Sequence, residues 1–518
     1  MNRRRKISVP KLILIFAIVV IAILGILMLF RQNGNPFVRH TVTYDNSVSQ
    51  EEKAVLEQYF ETNSPTADLT ISADYTQAAD KDNTAIYSVL LPVTGFYNPE
   101  SNLTSSEVSA VLEELNSATR PILISSTNEV SPQDTKTYLL PQGKLDGSVK
   151  LLSVDDHYYL DDARAGKTAP AGAIYRIFNI SSSDQAAATK TTEQLTGAYN
   201  SNLDGGQILK FIQTGVTALT RQMQNRLNAT GDASLFAAKI ADFLSSADYT
   251  HTSNEVSFAE DCNNNTPMAF CSDYRMYQVL EDSGIDIVEL TGNHNNDWGT
   301  SANLTTIDFY HEHGVKTVGG GKTEEEAKTP LHLSDKNTSI TLIAINNSTS
   351  TKANGQGASG DHPGANIYDE KTTLAQIKEA KERGNFVILD IQFFECYSYP
   401  DDGEEMPSCD LPISGQEEFF KSLADAGADM IVGTQAHQPQ TFELYNNKPI
   451  YYGLGNLFFD QYQWPGTMRS LVLSHYFKDG KLLQTKITPT MYDQNFQTAI
   501  MDEISAYNYL KRLTSYMR

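Results

Sequence analysis

The chain has 518 residues, 40% of them hydrophobic, enough to build a sizeable core across two or three domains. Its formal net charge of −23 excludes general nucleic-acid binding, because gripping phosphates takes Lys and Arg. The same charge argues against lying flat on an anionic membrane, and solubility alone is reason enough for an acidic surface.

Arg3, Arg4, Arg5 and Lys6 form a basic cluster, with Lys11 shortly after. Residues 12–30 then run without a charge. As a helix this run is about 28 Å long, close to a hydrocarbon core of about 30 Å. It exceeds a secretory signal's apolar core and ends without a small-residue cleavage site. A buried core helix is the competing reading, but that would show a polar stripe. The sequence therefore predicts a single-pass anchor in a cell membrane. Segment 1–11 stays cytoplasmic, and the bulk of the chain is extracytoplasmic. Residues 31–65 read as a juxtamembrane linker containing a helix.

Over 66–205 strands and helices alternate, as in a small α/β domain. Strands are expected at 67–72, 85–93, 121–125 and 137–140. A helix is expected at 104–115, capped by Thr104 or Ser105, with Val108, Val111, Leu112 and Leu115 on one face. Asp155 and Asp156 read as a solvated loop in preference to a ligand pair.

Residues 206–493 read as a larger α/β domain. Strands are expected at 208–214, 286–290, 339–345, 386–393, 428–434, 448–452 and 468–477. Helices are expected at 233–246, 301–313 and 415–426, the second closed by Gly314. Asp479-Gly480 marks a tight hairpin. A peripheral helix ends the chain within 494–518. Of the four cysteines, Cys262 with Cys271 and Cys396 with Cys409 are the simplest disulfide pairs outside the cytoplasm. A zinc site is the rival reading, although no CxxC spacing is present.

Polar clusters follow the apolar strands, where α/β sheets bind ligands. Asn254-Glu255 comes after the 233–246 segment. Gly292-Asn293-His294 with Asp297 follows 286–290. Gln392 and Glu395 end 386–393. Gln435 and His437 follow 428–432, and Asn456 with Asp460 follows 450–454. Singly, each has a structural explanation: a strand-to-helix turn for Gly292-Asn293, a core histidine for His437, a turn cap for Asn456. Together they point to one site of proton transfer or metal binding.

The stretches Gly433-Thr-Gln-Ala-His-Gln-Pro-Gln440 and Lys448-Pro-Ile-Tyr-Tyr-Gly-Leu-Gly-Asn-Leu-Phe-Phe-Asp-Gln461 resemble the closing motif of the CapA family of bacterial capsule-synthesis, poly-γ-glutamate-associated proteins. Gly292-Asn293-His294 with Asp297-Trp298-Gly299 resembles its central Asn-His motif, and Asn254-Glu255 sits where the family has Asn-Leu-Glu. The resemblance covers roughly 208–490. It implies a calcineurin-like metallophosphoesterase fold, a four-layer α/β sandwich. Residues 66–205 resemble, more loosely, a solute-binding-type domain.

The departures are specific. Val216 or Thr217 stands where the family's opening Asp binds metal. Gln392-Phe393-Phe394 replaces its His-Trp-Gly, and Thr434 replaces the first His of Gly-His-His-Pro-His. Glu255, Asn293 and His437 remain as ligands for one divalent metal, or for none. His294 and Glu395 are the expected catalytic pair. Asn254, Asp297, Gln392, Gln435, Asn456 and Asp460 are the expected substrate contacts.

The resemblance implies work on a cell-envelope polymer or its precursor, beside other capsule-synthesis membrane subunits. The reaction would be a metal-assisted amide or phosphoester hydrolysis. The alternative is a non-catalytic binding or scaffold subunit with a degenerate metal site.

Overall fold

The computed structural model describes residues 40–60, 68–77, 83–115, 123–167, 170, 172–199, 205–262, 269–396 and 409–517. The anchor expected at 12–30 lies outside them. Among the described residues no helix is long and apolar enough to cross a membrane.

The chain divides into two compact units, one from 1–89 with 174–201 and one from 90–173 with 202–518. In the first, strand Val42–Tyr44 pairs in parallel with Leu69–Thr76, which pairs antiparallel with Ile174–Ser181. Residues 40–60, expected as linker, are therefore packed. Val42, Leu56, Leu69, Ile71 and Phe178 share a core. A Ser49–Glu52 capping box opens helix Gln50–Leu56, and the buried Glu52 receives Arg176 Nε at 2.8 Å.

Strand Thr84–Gly95 runs from the first unit into the second. Its second half pairs antiparallel with Tyr138–Pro141 and Val149–Leu151. The segment read as one domain over 66–205 is thus shared between the units. Its middle is tied to later residues. Leu151 N donates to Gln484 Oε1 at 2.9 Å, and Lys210 Nζ reaches Asp161 at 3.0 Å.

The rest of the second unit is built on β1 (Leu209–Thr217), β2 (Tyr249–Asn254), β3 (Ile287–Glu289), β4 (Lys316–Val318), β5 (Leu331–Asp335), β6 (Thr338–Asn346), β7 (Phe386–Cys396) and β8 (Met430–Ala436). It continues with β9 (Phe442–Tyr445), β10 (Lys448–Tyr451), β11 (Asn456–Phe458), β12 (Arg469–Lys478), β13 (Lys481–Tyr492) and β14 (Thr498–Ile500). An eight-stranded sheet has the order β4-β3-β2-β1-β12-β13-β14, with β11 also on β1. A six-stranded sheet has the order β5-β6-β7-β8-β10-β9. Both are mixed, with β4-β3-β2-β1 and β6-β7-β8-β10 parallel.

Alternate residues of these strands enter different cores. Phe211, Ile287, Leu342, Ile388 and Val432 face one core shared by the two sheets. Ile212, Val288 and Leu290 pack outward against α1 (Gln222–Thr230), α2 (Tyr277–Asp282) and α3 (Thr300–Glu312) through Leu227, Leu280, Ile307 and Tyr310. Ile343, Leu389 and Ile431 pack on α4 (Glu370–Glu382) and α5 (Gln416–Asp425) through Ile377, Phe420 and Leu423. The layers therefore run helix, sheet, sheet, helix, and strands covered on both faces read as near-continuous apolar runs.

Two further expectations change. Residues 233–246 do not form one helix. Ser234–Phe236 is a short 3-10 turn, and the helix proper is Ala241–Leu244. Ala233, Phe236, Ile240 and Leu244 are all buried, so the apolar spacing reflects burial of an irregular segment. The final helix α6 (Glu503–Thr514) is not peripheral, because Tyr509, Leu510 and Leu513 enter the inter-sheet core.

Candidate functional site

The inter-sheet layer changes character along its strands. In β1 the inward positions run Leu209, Phe211, Gln213; in β3, Ile287, Glu289; in β7, Ile388, Asp390, Gln392; in β8, Met430, Val432, Thr434. The apolar series ends and a polar one begins toward the carboxyl ends. His251 of β2 lies opposite Gln213 and Ile287, with Nε2 3.1 Å from Asp390 Oδ2. Gln213 Nε2 donates to the same oxygen at 2.9 Å. All of these groups are fully buried. Burial and the nearby Asp390 push the Glu289 carboxyl well above its usual range.

Beyond this polar layer the strand ends open into a cavity of about 500 Å³. Asn293, His294, Asp297, Gln356, Gln392, Phe393, Phe394, Glu395 and Gln435 line it, with Ser348, Thr351 and Asn354. The loop after β3 delivers His294. A Cβ at Gly292 would stand 2.7 Å from the Glu255 Cα, so only glycine lets the two loops approach. His294 Nδ1 and Asp297 Oδ2 are 2.6 Å apart. Asp297 is itself held, accepting from Phe270 N at 3.0 Å and from Gln356 Nε2 at 2.8 Å. The Phe270 ring lies against the imidazole, 4.3 Å between centroids. Burial pulls the His294 pKa down, but the Asp297 bond and the nearby Glu255 and Glu395 reverse this and raise it.

A relay of carboxamides crosses the wall. Gln392 Nε2 donates to Asn293 Oδ1 at 3.2 Å and to Gln435 Oε1, and Gln435 Nε2 donates to Glu395 Oε1 at 3.3 Å. Gln435 holds φ +75, a strained conformation for a residue with a side chain. Gln392 Oε1 is buried without a partner.

Six expected residues therefore meet at the cavity: Asn293, His294, Asp297, Gln392, Glu395 and Gln435. Glu255 lies behind it, 1% exposed, with Oε1 unpartnered and its carboxyl pushed up to about 8 by burial. His437 Nδ1 faces Asn456 Oδ1 at 2.9 Å, and burial lowers its pKa. Asn254 serves the fold, donating to Val256 O at 3.0 Å and to Tyr310 Oη at 2.5 Å. Asp460 binds Arg221 and Gln222 N, and Arg221 lies over the rings of Phe270 and Phe459 at 4.5 and 5.0 Å. Phe270, Gln356 and Arg221 carry no motif and reach the site only through folding. Glu289 and Asp390 do leave a signal, an acidic residue inside an apolar run.

Both cysteine pairs are disulfides, each with Cα atoms 5.6 Å apart, so the zinc reading is set aside. Cys271 adjoins Phe270 and Cys396 adjoins Glu395, so each bridge braces a wall of the site.

The donors do not fit a metal centre. Among the described residues, no three His, Cys, Asp or Glu side chains group closely enough to hold an ion. Of the three expected ligands, Asn293 already gives its oxygen to Gln392 and His437 faces Asn456. The oxygens and nitrogens here are mostly carboxamides, which bind hard metals weakly when alone.

Residues 210–461 match the family model described as bacterial capsule synthesis protein PGA_cap. This segment belongs to that family. The chain is similar to "Capsule biosynthesis protein CapA" of Bacillus anthracis, 26% identical over 46% of this chain and 56% of that one. It is also similar to "PGA biosynthesis protein CapA" of Bacillus subtilis (strain 168), 27% identical over 41% of this chain and 52% of that one. The chain thus spans about half the length of these curated relatives. Among solved structures it is similar to the NAD nucleotidase of Haemophilus influenzae, 11% identical over 60% of this chain and 55% of that one, with a TM-score of 0.31. The PGA_cap segment runs from the start of β1 to just past β11, and so contains every residue of the cavity.

Proposed function

We propose that this protein acts outside the cytoplasm on a capsule polymer of the poly-γ-glutamate type, hydrolysing, transferring or releasing an amide-linked chain at the cavity. The observation that carries this reading is the His294–Asp297 pair at 2.6 Å on the wall of a 500 Å³ cavity that also holds Glu395. Asp297 fixes Nδ1 as the protonated nitrogen and leaves Nε2 as the basic one. The Asp297 bond and the nearby Glu255 and Glu395 raise the His294 pKa and make the ring a stronger base than a free imidazole. Glu395 is the partner base, and the carboxamides of Asn293, Gln392 and Gln435 position the substrate. A metal ion takes no part in this reading. The disulfides support an oxidising, extracytoplasmic location, and the basic cluster with the apolar run 12–30 supports a membrane anchor. The helix, sheet, sheet, helix layering supports the calcineurin-like sandwich.

The test is complementation of a deletion strain with His294→Gln. Loss of proton transfer lowers polymer attachment or release by about 10²–10⁴-fold. Wild-type polymer in that strain overturns the catalytic reading in favour of a binding or scaffold subunit, which the poor metal-donor set favours. Elemental analysis of the purified protein tests the metal: a stoichiometric divalent ion lost in His437→Ala overturns the metal-free site.

A further inference from the structure

Hydrogen-bond direction in the carboxamide relay is fixed from one end. Glu395 is a carboxylate and accepts only, so Gln435 must present Nε2 to it. Gln435 Oε1 then faces Gln392, which must answer with Nε2, and the same Nε2 serves Asn293 Oδ1. Reversing Gln435 or Gln392 sets oxygen against oxygen, and reversing Asn293 sets nitrogen against nitrogen. Gln392 Oε1 is therefore left as a buried acceptor without a donor, on a side chain 2% exposed that lines the cavity. An orphan of this kind costs about 1–3 kcal/mol until something donates to it.

Apart from His294, the charged groups of the wall have the same sign. Asp297 and Glu395 are carboxylates, and among the described lining residues no Lys or Arg is present. The basic group there, His294, is engaged by Asp297. Phe393 and Phe394 meet edge to face at 5.0 Å, and Phe394 is 44% exposed. Acceptors, negative charge and an open aromatic face suit a group that only donates and carries positive charge. They do not suit a phosphate, which would bring its charge to a wall with no Lys or Arg among its described lining residues.

We propose that the cavity binds a primary ammonium group, received by Gln392 Oε1 and the Glu395 carboxylate beside the Phe394 ring. This rests on the cavity being the working site of the proposed function. On a polyacid chain, such a group occurs at the free amino end, and an amine acceptor in the envelope is the other source.

Isothermal titration calorimetry on the full-length protein decides this with four probes: γ-linked tri-glutamate, its N-acetylated form, a neutral peptide bearing a lysine ε-amine, and inorganic phosphate. The expected result is binding of at least one free-amine probe, with no binding or competition by phosphate. Preference for tri-glutamate identifies the polymer's own end, and preference for the ε-amine peptide identifies an acceptor. If tri-glutamate binds, N-acetylation weakens it at least tenfold. Glu395→Gln also weakens amine binding about tenfold, since it removes the charge and frees the relay to reverse. Phe394→Ala, at an exposed position, weakens it several-fold without moving the unfolding midpoint. Equal binding of the acetylated probe, competition by phosphate, or no binding of either amine overturns the proposal. The two readings fail separately. Lost polymer in His294→Gln with no effect of acetylation removes only the ammonium site. Amine binding with normal polymer in His294→Gln removes only the catalytic role.

Discussion

The two halves of the inter-sheet layer share strands and burial but differ in chemistry. Near the amino ends of β1, β3, β7 and β8, Leu209, Phe211, Ile287, Ile388, Met430 and Val432 meet as apolar surfaces. Two to four residues further on, Gln213, His251, Glu289 and Asp390 meet as polar ones, equally shut off from water. Gln213 Oε1, Glu289 Oε2 and Asp390 Oδ1 have no partners there. The first half stabilises the fold. The second half costs stability, and it lies directly beneath the cavity. The comparison teaches that this sandwich concentrates its unfavourable burial where its strands support the site.

The comparison breaks or holds most visibly on truncation. Phe211→Ala removes a fully buried ring from the apolar half and should cost about 3–5 kcal/mol by urea unfolding. Asp390→Ala should cost a similar amount, about 3–5 kcal/mol, because Gln213 loses its acceptor and His251 loses the carboxylate 3.1 Å from its Nε2 in a closed interior. The sharper test replaces Gln213, His251 and Asp390 together with leucine. A layer that costs stability should then recover to parental stability or gain about 1–4 kcal/mol. A triple variant as unstable as Asp390→Ala would show that the polar half stabilises, and the contrast would be wrong.

An intermediate effect is expected in acid. Burial, helped by the nearby His251, lowers the His475 pKa from 6.5 to about 3. Its folded value lies below its unfolded one, so the neutral ring contributes full stability above pH 6.5. That contribution is lost as the pH falls from 6.5 toward 3. At pH 5 the loss is about 2 kcal/mol, at 1.36 kcal/mol per unit. His475→Phe, among Phe211, Tyr451 and Phe477, should shrink the difference in unfolding free energy between pH 7 and pH 5 by that amount. An unchanged difference would place the acid sensitivity elsewhere.

Much of this was legible in the chain. Strands β1, β3, β6, β7, β8, β10 and β12 announced themselves as apolar runs, because they are covered on both faces, whereas β2, reading Tyr-Thr-His-Thr-Ser-Asn, gave no such signal. Asp479-Gly480 marked its hairpin by composition, and both residues hold positive φ. The cavity residues were readable because carboxyl strand ends collect function. Residues 40–60 were misread because Val42, Val48 and Leu56 are too widely spaced to look like a core until β-pairing brings in Ile71 and Phe178. The 233–246 segment carries a helical spacing that burial alone produces. Arg221 and Asp460 are 239 positions apart in sequence, so nothing local could pair them. The direction of the carboxamide relay needed coordinates, since composition does not say which oxygen is left over.

The smallest effect is expected at α6, whose apolar face packs on the apolar half. Asp502 caps this helix, accepting from Ser505 N at 3.0 Å, and Tyr509, Leu510 and Leu513 behind it enter the inter-sheet core. Asp502→Ala should cost about 1 kcal/mol by urea unfolding, the usual worth of an N-cap. The same variant should bind the γ-glutamyl and amine probes with parental affinity, because the helix touches no residue of the cavity wall. If stability and binding fell together, the two halves would be one cooperative unit, and the polar layer could not be treated as a separable cost. If stability alone fell, the apolar half would be carrying the fold while the polar half is left to hold the site.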